Sequence, residues 1–440
     1  MMESLAAHLW CPWLLGLTMA AGLIYSVGSG FFPIFGCKLW IRITLGSLLR
    51  PRSNAGISPV QALATALAST IGTGSIAGVA AALSLGGPGA IFWLWLAALL
   101  GMMTSCAEKI LAVEYQRAAP DGTLRGGPMY YLRDGLHSPI LAGWFALCCI
   151  PACLAGGNLI QSSSIADTMQ SVFGTSRLSV GLVLCALAAP VLLGGIGRIA
   201  RFSTVLVPAM ALLYLGGGIA VLVLRREQLP NALCAIFRCA LSPNASFGGA
   251  AGWSLSLSLR HGVARGIFAG ESGLGTSAIA HGAVKTDSPA RQGMWGILEV
   301  FCSTLLVCTV TALTILVSSP DLTVPGGAHT TAAAFSRALG PAGGFIVCLS
   351  LILFAFSSIL GWSWYGQQAL EYLTGGTKYV PVYRLTFLFC ILMGALLPSA
   401  RLWAAVDVWD GLMAIPNLLG LLLLSPRVLG ILHRWLSVRT

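Results

Sequence analysis

The 440 residues are 56% hydrophobic and only 9% charged, with a mean hydropathy of +0.84; ordinary globular chains carry about 25% charged residues, so a water-soluble globular protein is excluded. The net charge of +11 is scattered between apolar runs and forms no basic stripe, which excludes a nucleic-acid-binding surface and leaves Lys and Arg as topology markers. The thirteen cysteines lie mostly inside apolar runs without a C-x-x-C or His-rich pairing, and read as small core residues.

Crossing the hydrocarbon takes about 20 apolar residues in a helix. Eleven segments qualify: 9–34, 57–84, 88–115, 139–170, 178–196, 202–224, 250–283, 292–318, 341–370, 382–399 and 405–432. The first has neither a basic leader nor a cleavage site and is expected to be a retained helix. The second is interrupted at Ala68-Ser69-Thr70-Ile71-Gly72-Thr73-Gly74-Ser75-Ile76-Ala77-Gly78, where Gly72 and Gly74 open backbone angles closed to other residues. Peptide groups cannot go unpaired in hydrocarbon, so an unwound stretch must be enclosed by protein or line a cavity. Glu108 beside Lys109 closes the third segment as an expected ion pair, and Asp121-Gly122 with Arg125-Gly126-Gly127-Pro128 marks a turn in the loop that follows. Gln161, with Ser162 to Ser164, sits mid-segment in the fourth, as interhelical glue or as a contact to a solute.

A loop from Arg225-Arg226-Glu227 to Arg238 leads to the seventh segment, whose start around Arg260, His261 and Arg265 reads as an interfacial helix. The second break follows, at Gly266-Ile267-Phe268-Ala269-Gly270-Glu271-Ser272-Gly273-Leu274-Gly275-Thr276-Ser277, with unwinding expected over 268–275. Glu271 there either neutralises a cation or, more plainly, caps unwound amides; His281 reads as structural or gating, and Glu299 lies deep in the eighth segment. The ninth carries Ser357 and Ser358, hard oxygen donors of the kind an alkali cation accepts, with Trp362 one turn beyond on the same face. A Ser pair in a membrane helix also bonds its own i−4 carbonyl.

Two interrupted spans, one in each half, point to a secondary transporter's central site. Half-helix N-termini favour a carboxylate and half-helix C-terminal carbonyls a cation, so a zwitterionic amino acid with Na⁺ uses both. The breaks lie five spans apart, which makes 57–224 and 250–432 two five-helix halves of opposite orientation, with 9–34 as an added N-terminal helix. The expected fold is therefore all-α and polytopic, an inverted repeat of the LeuT type in a single transporter domain. An outside N-terminus puts 17 Lys/Arg inside and 6 outside, with 2 in segment seven, so the positive-inside rule places the C-terminus in the cytoplasm. The inner set includes Lys38, Arg42, Arg50, Arg52, Lys285, Arg427, Arg434 and Arg439. GxGxxxG is also a helix-packing pattern, although packing has no use for the flanking Thr residues. Neither a Rossmann nor a P-loop spacing is present.

These residues resemble the alanine or glycine:cation symporter family, sodium-coupled amino-acid carriers of prokaryotes, from about Pro59 to Ser425. The likeness is carried by 72–80, Gly86-Gly87-Pro88-Gly89-Ala90, Arg125 to Tyr131, Glu271 to His281, Ile359 to Gly366 and Gly411 to Asn417. The resemblance implies a LeuT-type fold in a prokaryotic plasma membrane. It places one small neutral amino acid against Thr73, Gly74, Ser75, Gln161, Phe268, Ser358 and Trp362. A sodium ion would lie between the carbonyls of Ala68 and Ile71 and the hydroxyls of Ser357 and Ser358. Position 75 is Ser and position 270 Gly where the family usually has Asn, and position 303 is Ser where an acid is common.

The expected activity is sodium-coupled import of alanine or glycine, D-alanine included, by alternating access, without a catalytic residue, cofactor, nucleic acid or obligate protein partner. Three other readings are open. In one, transport is proton-coupled through Glu271 or Glu299; in another, the chain is an intramembrane enzyme, against which no G-x-S-x-G or H-E-x-x-H appears. The third is a sensor that binds without transporting.

Overall fold

The computed structural model describes residues 2–10, 12–47, 57–119, 122–241, 250–286, 288–318, 327–399 and 402–438. Arg50, Arg52, Asp121 and Arg439, used above for topology and the turn, lie outside the described residues. Six described helices are long and apolar enough to cross a membrane: Gly89–Glu114, Pro139–Phe173, Gly195–Leu224, Pro289–Ser318, Pro341–Thr374 and Trp403–Leu423. A seventh span is the bent pair Pro59–Thr70 and Gly74–Gly86, whose halves diverge by 54°. Shorter apolar helices at Trp13–Gly28, Arg177–Leu192 and Val380–Leu396, and the pair Ala250–Gly270 and Thr276–His281, fill the remaining expected positions.

Serine caps explain where several spans begin. Ser58, Ser138, Ser176 and Ser288 accept from the backbone N–H of Gln61, Leu141, Ser179 and Arg291 at 3.1–3.4 Å. Three of the four stand before a proline at the first helical position, where a missing N–H costs nothing. Each cap contributes about 1 kcal/mol. Lipid-facing residues such as Val205 and Leu212 are more than 70% exposed, whereas every residue of 62–76 and of 269–284 is buried. The two broken spans therefore form the centre of the molecule. Gly89–Glu114 packs along Pro289–Val300 and Ala250–Gly270, and Pro341–Thr374 packs on Pro139–Leu154, Gly195–Leu224 and Pro59–Thr70.

Some expectations are met and others are corrected. The second span unwinds at Ile71 and Gly72 and continues through a wide π turn at Gly74–Gly78. The second break starts later than expected: Phe268 to Gly270 stay helical and 271–275 are unwound, with Glu271, Gly273 and Gly275 at positive φ. Ala250–Gly270 is one continuous helix, so its start is not a separate interfacial element. The loop before it holds a helix instead, Leu229–Leu241. Segment 405–432 is two helices, Trp403–Leu423 and Ser425–Ser437, divided where Pro426 removes a backbone donor. The turn after the third span is a hairpin of two short strands, Arg117–Ala118 with Leu124–Arg125, closed through Gly122 at φ 75°. Every cysteine among the described residues is free.

At one end of the molecule the broken helix Thr276–His281 closes against the loop after the hairpin. A Cβ on Gly282 would stand 2.5 Å from Gly126 Cα, so the two backbones touch with no side chain between them. The Gln116 amide ties the seam by donating to the carbonyls of Gly282 at 3.3 Å and Val284 at 3.2 Å.

Candidate functional site

The first half-helix ends by leaving its last carbonyls without intrahelical partners, and the Pro341–Thr374 helix supplies them. Ser357 Oγ donates to Ala68 O at 3.0 Å, and Ser358 Oγ lies 3.1 Å from both Ala68 O and Ser69 O. Trp362 Nε1 donates to Ser69 O at 3.3 Å. Both serines also reach Phe354 O on their own helix, at 2.8 and 3.1 Å, so back-bonding and the contact to the break coexist. Carbonyls at a helix C-terminus carry the negative end of the helix dipole, and two hydroxyl oxygens beside them make a compact set of hard oxygens. Ile71, with φ −82° and ψ 82°, turns its carbonyl out of the helical direction.

Across the break lies a chamber of about 20 Å³, lined by Ser69, Thr70, Gly72, Gly74, Gly156, Gln161, Phe268, Glu271, Leu274 and Trp362. That is room for about one water, so side chains must part before a solute enters. Gln161 spans it: Nε2 donates to Gly156 O at 3.1 Å and Oε1 accepts from Thr73 N at 3.4 Å. The wide turn Ala155–Leu159 brings Gly156 to the chamber wall. A larger vestibule of about 300 Å³, reached by Thr73, Asp167, Arg265 and Trp403, lies beside it. A tilted aromatic pair links the two linings, Phe268 on the chamber and Trp403 on the vestibule. Phe268 and Trp403 have ring centroids 6.1 Å apart, with the Arg265 guanidinium 5.9 Å from the first ring and 5.3 Å from the second.

Of the residues singled out from sequence, Gly74, Gln161, Phe268 and Trp362 line the chamber together. Ser358 stands just behind its wall, where a Cβ on Gly72 would come within 2.7 Å of Ser358 Oγ. Thr73 faces the vestibule. Ser75 lies away from the chamber lining, its carbonyl accepting from Thr311 Oγ1 at 3.1 Å. The other two departures meet near the same helix: a Cβ on Gly270 would stand 3.0 Å from Thr304 Oγ1, and Ser303 Oγ is 3.3 Å from that oxygen. Ser69, Thr70, Gly156, Glu271 and Leu274 were not assigned to the pocket from sequence. The pair Gly156-Gly157, one turn before Gln161, was the available signal for a close approach there.

Beneath the chamber is a buried charge network. Glu108 Oε1 accepts from the amides of Gly273 and Gly275, each at 3.0 Å, and from Asn417 Nδ2 at 2.8 Å. The cap of the second break is thus Glu108, and Glu271 instead accepts from Thr276 Oγ1 at 2.6 Å. Lys109 Nζ lies 3.2 Å from Glu299 and 3.8 Å from Glu108, and donates to Ser105 and Ser277. His281 bonds Gln292 at 2.6 Å and approaches Glu299 at 3.4 Å. Asn417 also accepts from the Tyr131 hydroxyl.

The sequence pattern of the sodium:alanine symporter family matches residues 1–440. The chain belongs to the sodium:alanine symporter family. The symporter is 40% identical to the sodium/alanine symporter AgcS of Methanococcus maripaludis over 433 residues, 97% of this chain and 94% of the relative. It is 35% identical to the probable sodium/glutamine symporter GlnT of Bacillus subtilis, over 95% of this chain and 86% of that one. Among solved structures, the manganese transporter of Eremococcus coleocola superposes with a TM-score of 0.56 at 13% identity, covering 87% of this chain and 80% of the other. That likeness identifies the all-helical LeuT-like fold. Family membership makes the chain a multi-pass, sodium-coupled symporter of small amino acids and not an enzyme.

Proposed function

We propose that the symporter imports alanine or glycine, in either enantiomer for alanine, by alternating access, with one sodium ion held at the end of the first half-helix. The observation that carries this reading is the convergence of Ser357 and Ser358 on the Ala68 and Ser69 carbonyls. The ion would take the carbonyls of Ala68 and Ile71 and the two hydroxyls. The solute would sit against Gly72, Thr73, Gly74, Gln161, Phe268, Ser358 and Trp362. The two halves 57–224 and 250–432 would rock about this site, with the N-terminus outside, the C-terminus in the cytoplasm and the vestibule facing out. The driving force is adequate: about 2.3 kcal/mol from one Na⁺ crossing roughly 100 mV and about 1.4 kcal/mol from a tenfold gradient. Together they support accumulation of roughly 500-fold for a neutral zwitterion.

Purified protein in vesicles should take up labelled alanine only with an inward sodium gradient; uptake indifferent to that gradient would end the coupling reading. Ser357→Ala and Ser358→Ala each remove one oxygen from the proposed ion shell. A hydrogen-bond-scale contact to a charged group is worth about 1.5–3 kcal/mol, so each variant should need roughly ten- to a hundredfold more sodium for half-maximal uptake. An unchanged sodium titration would take that hydroxyl out of the site.

A further inference from the structure

The turn between Arg177–Leu192 and Gly195–Leu224 carries a cluster of guanidinium groups that the transport reading leaves unused. Arg198 folds back over Gly194, where a Cβ would meet its Cδ at 1.9 Å, and its Nη1 donates to the Pro190 carbonyl at 2.7 Å. Arg201 follows three residues later on the same helix face, and both side chains are exposed. Arg384, from Val380–Leu396, donates to the Leu193 carbonyl at 3.0 Å, and a Cβ on Gly195 would stand 3.4 Å from its Nη2. Arg117, Arg125, Arg133, Arg177 and Arg427 each meet a carboxylate. Among the described residues, none of the three around this turn forms an ion pair. Arg384 reaches Glu371 only through Gln367, and that carboxylate is held by Arg125 at 2.7 Å.

Arg198 and Arg201 head a groove of about 570 Å³ whose other walls are Pro190, Val191, Phe202, Val205, Leu206 and Ala209. Beyond the two guanidiniums the lining is apolar. Residues 202–224 carry no charge and as a helix are about 35 Å long, against a hydrocarbon core of about 30 Å. The arginines therefore stand at the edge of the hydrocarbon and the groove runs inward from them, on the inner leaflet in the orientation proposed above. Snorkelling brings an arginine to the interface but does not require a recess beneath it. A phosphate accepts bidentate, charge-assisted hydrogen bonds from a guanidinium, and a basic pocket between spans suits an anionic headgroup. A zwitterionic headgroup would bring its own cation to the cluster. A second copy docked about a two-fold axis would set this basic patch against itself.

We propose that this groove binds one anionic phospholipid, its phosphate held by Arg198 and Arg201 and an acyl chain laid along Phe202, Val205, Leu206 and Ala209. The helix that carries the groove also stands behind the Ser357–Ser358 pair. Phe202 meets Phe356 with ring centroids 6.1 Å apart, and Met210 Sδ lies 3.6 Å from Ser357 Oγ. A lipid seated in the groove braces that helix against the proposed ion shell, so the sodium requirement of transport depends on lipid charge. The bracing rests on the sodium reading above; the binding of the lipid does not.

The test uses the full-length protein. Native mass spectrometry of detergent-purified chain, offered phosphatidylglycerol and phosphatidylcholine of the same acyl chains, should show phosphatidylglycerol retained in preference. Arg198→Gln with Arg201→Gln should weaken its binding roughly thirtyfold, and Arg201→Gln alone roughly fivefold. Ala209→Trp, which fills the groove, should release the lipid with both arginines in place. Lys285→Gln with Arg434→Gln removes the same charge from two exposed positions elsewhere and should keep the preference. The site is overturned by equal retention of the two lipids, by a native preference in the double variant, or by an equal loss in the charge control. Glycerol phosphate competing as well as the lipid would leave a headgroup site only and overturn the acyl groove. A dimer that survives delipidation and is broken by Ala209→Trp would give the groove to a second copy instead. In vesicles, exchanging phosphatidylglycerol for phosphatidylcholine should raise the sodium needed for half-maximal alanine uptake at least about fivefold, a difference the double variant should lose. Identical native titrations in the two lipids, or a difference undiminished in the variant, would overturn the bracing. Uptake indifferent to sodium in every vesicle would defeat the sodium reading and leave the retention result standing.

Discussion

Glu108→Ala should cost the symporter about 3–5 kcal/mol, the range for breaking a buried charge pair by removing one partner. One carboxylate oxygen holds two amides of the second break and the Asn417 side chain, and its twin lies beside Lys109. Each of these groups is fully buried, so water cannot replace the lost acceptor. A loss of that size takes a large share of a typical 5–15 kcal/mol stability. The expected result is a steep fall in folded yield and melting temperature in detergent. Glu108→Gln keeps an acceptor oxygen for the amides and should recover a substantial part of the loss. Equal stability of the alanine variant and the native chain would remove Glu108 as the cap of the break.

Gly72→Ala should abolish uptake while leaving the fold intact. The added methyl would stand 2.7 Å from Ser358 Oγ and within 3.5 Å of both Gln161 side-chain polar atoms. Ser358 cannot yield without leaving the Ala68 and Ser69 carbonyls, and Gln161 cannot yield without releasing Thr73 N or Gly156 O. One methyl thus strikes the proposed ion shell and the chamber at once. Uptake should fall at least a hundredfold while the chain still folds, its stability reduced by about 1–3 kcal/mol for the buried hydrogen bonds displaced. Gly16→Ala, set in open space in Pro12–Gly28, should transport normally and gain up to about 1 kcal/mol from helix propensity. Native transport by the Gly72 variant would show that the first break is not the site.

Much of this was legible from local pattern. Hydropathy located the spans because each must satisfy its own backbone, and glycine in apolar surroundings located both breaks. The Ser357–Ser358 pair and Gln161 stood out as polar groups in the middle of apolar helices. What escaped depends on partners far apart in the chain. Glu108 was paired with its neighbour Lys109, whereas its main partners are amides 165 and 167 residues away. Glu271 was the obvious cap by position, yet at φ 47° its side chain turns to Thr276. The wide turns at Gly74–Gly78 and Ala155–Leu159 left no mark in hydropathy, since one extra residue in a turn changes neither length nor apolarity.

The bare contact between Gly126 and Gly282 has a bearing on leakage. Parting it would pull the Gln116 amide off the Gly282 and Val284 carbonyls and open a gap between two surfaces that touch backbone to backbone. A half-open seam loses those bonds and the close packing before water can fill the gap, and is costlier than either extreme. Such a door is held shut or swung wide, so ions should rarely slip through unaccompanied.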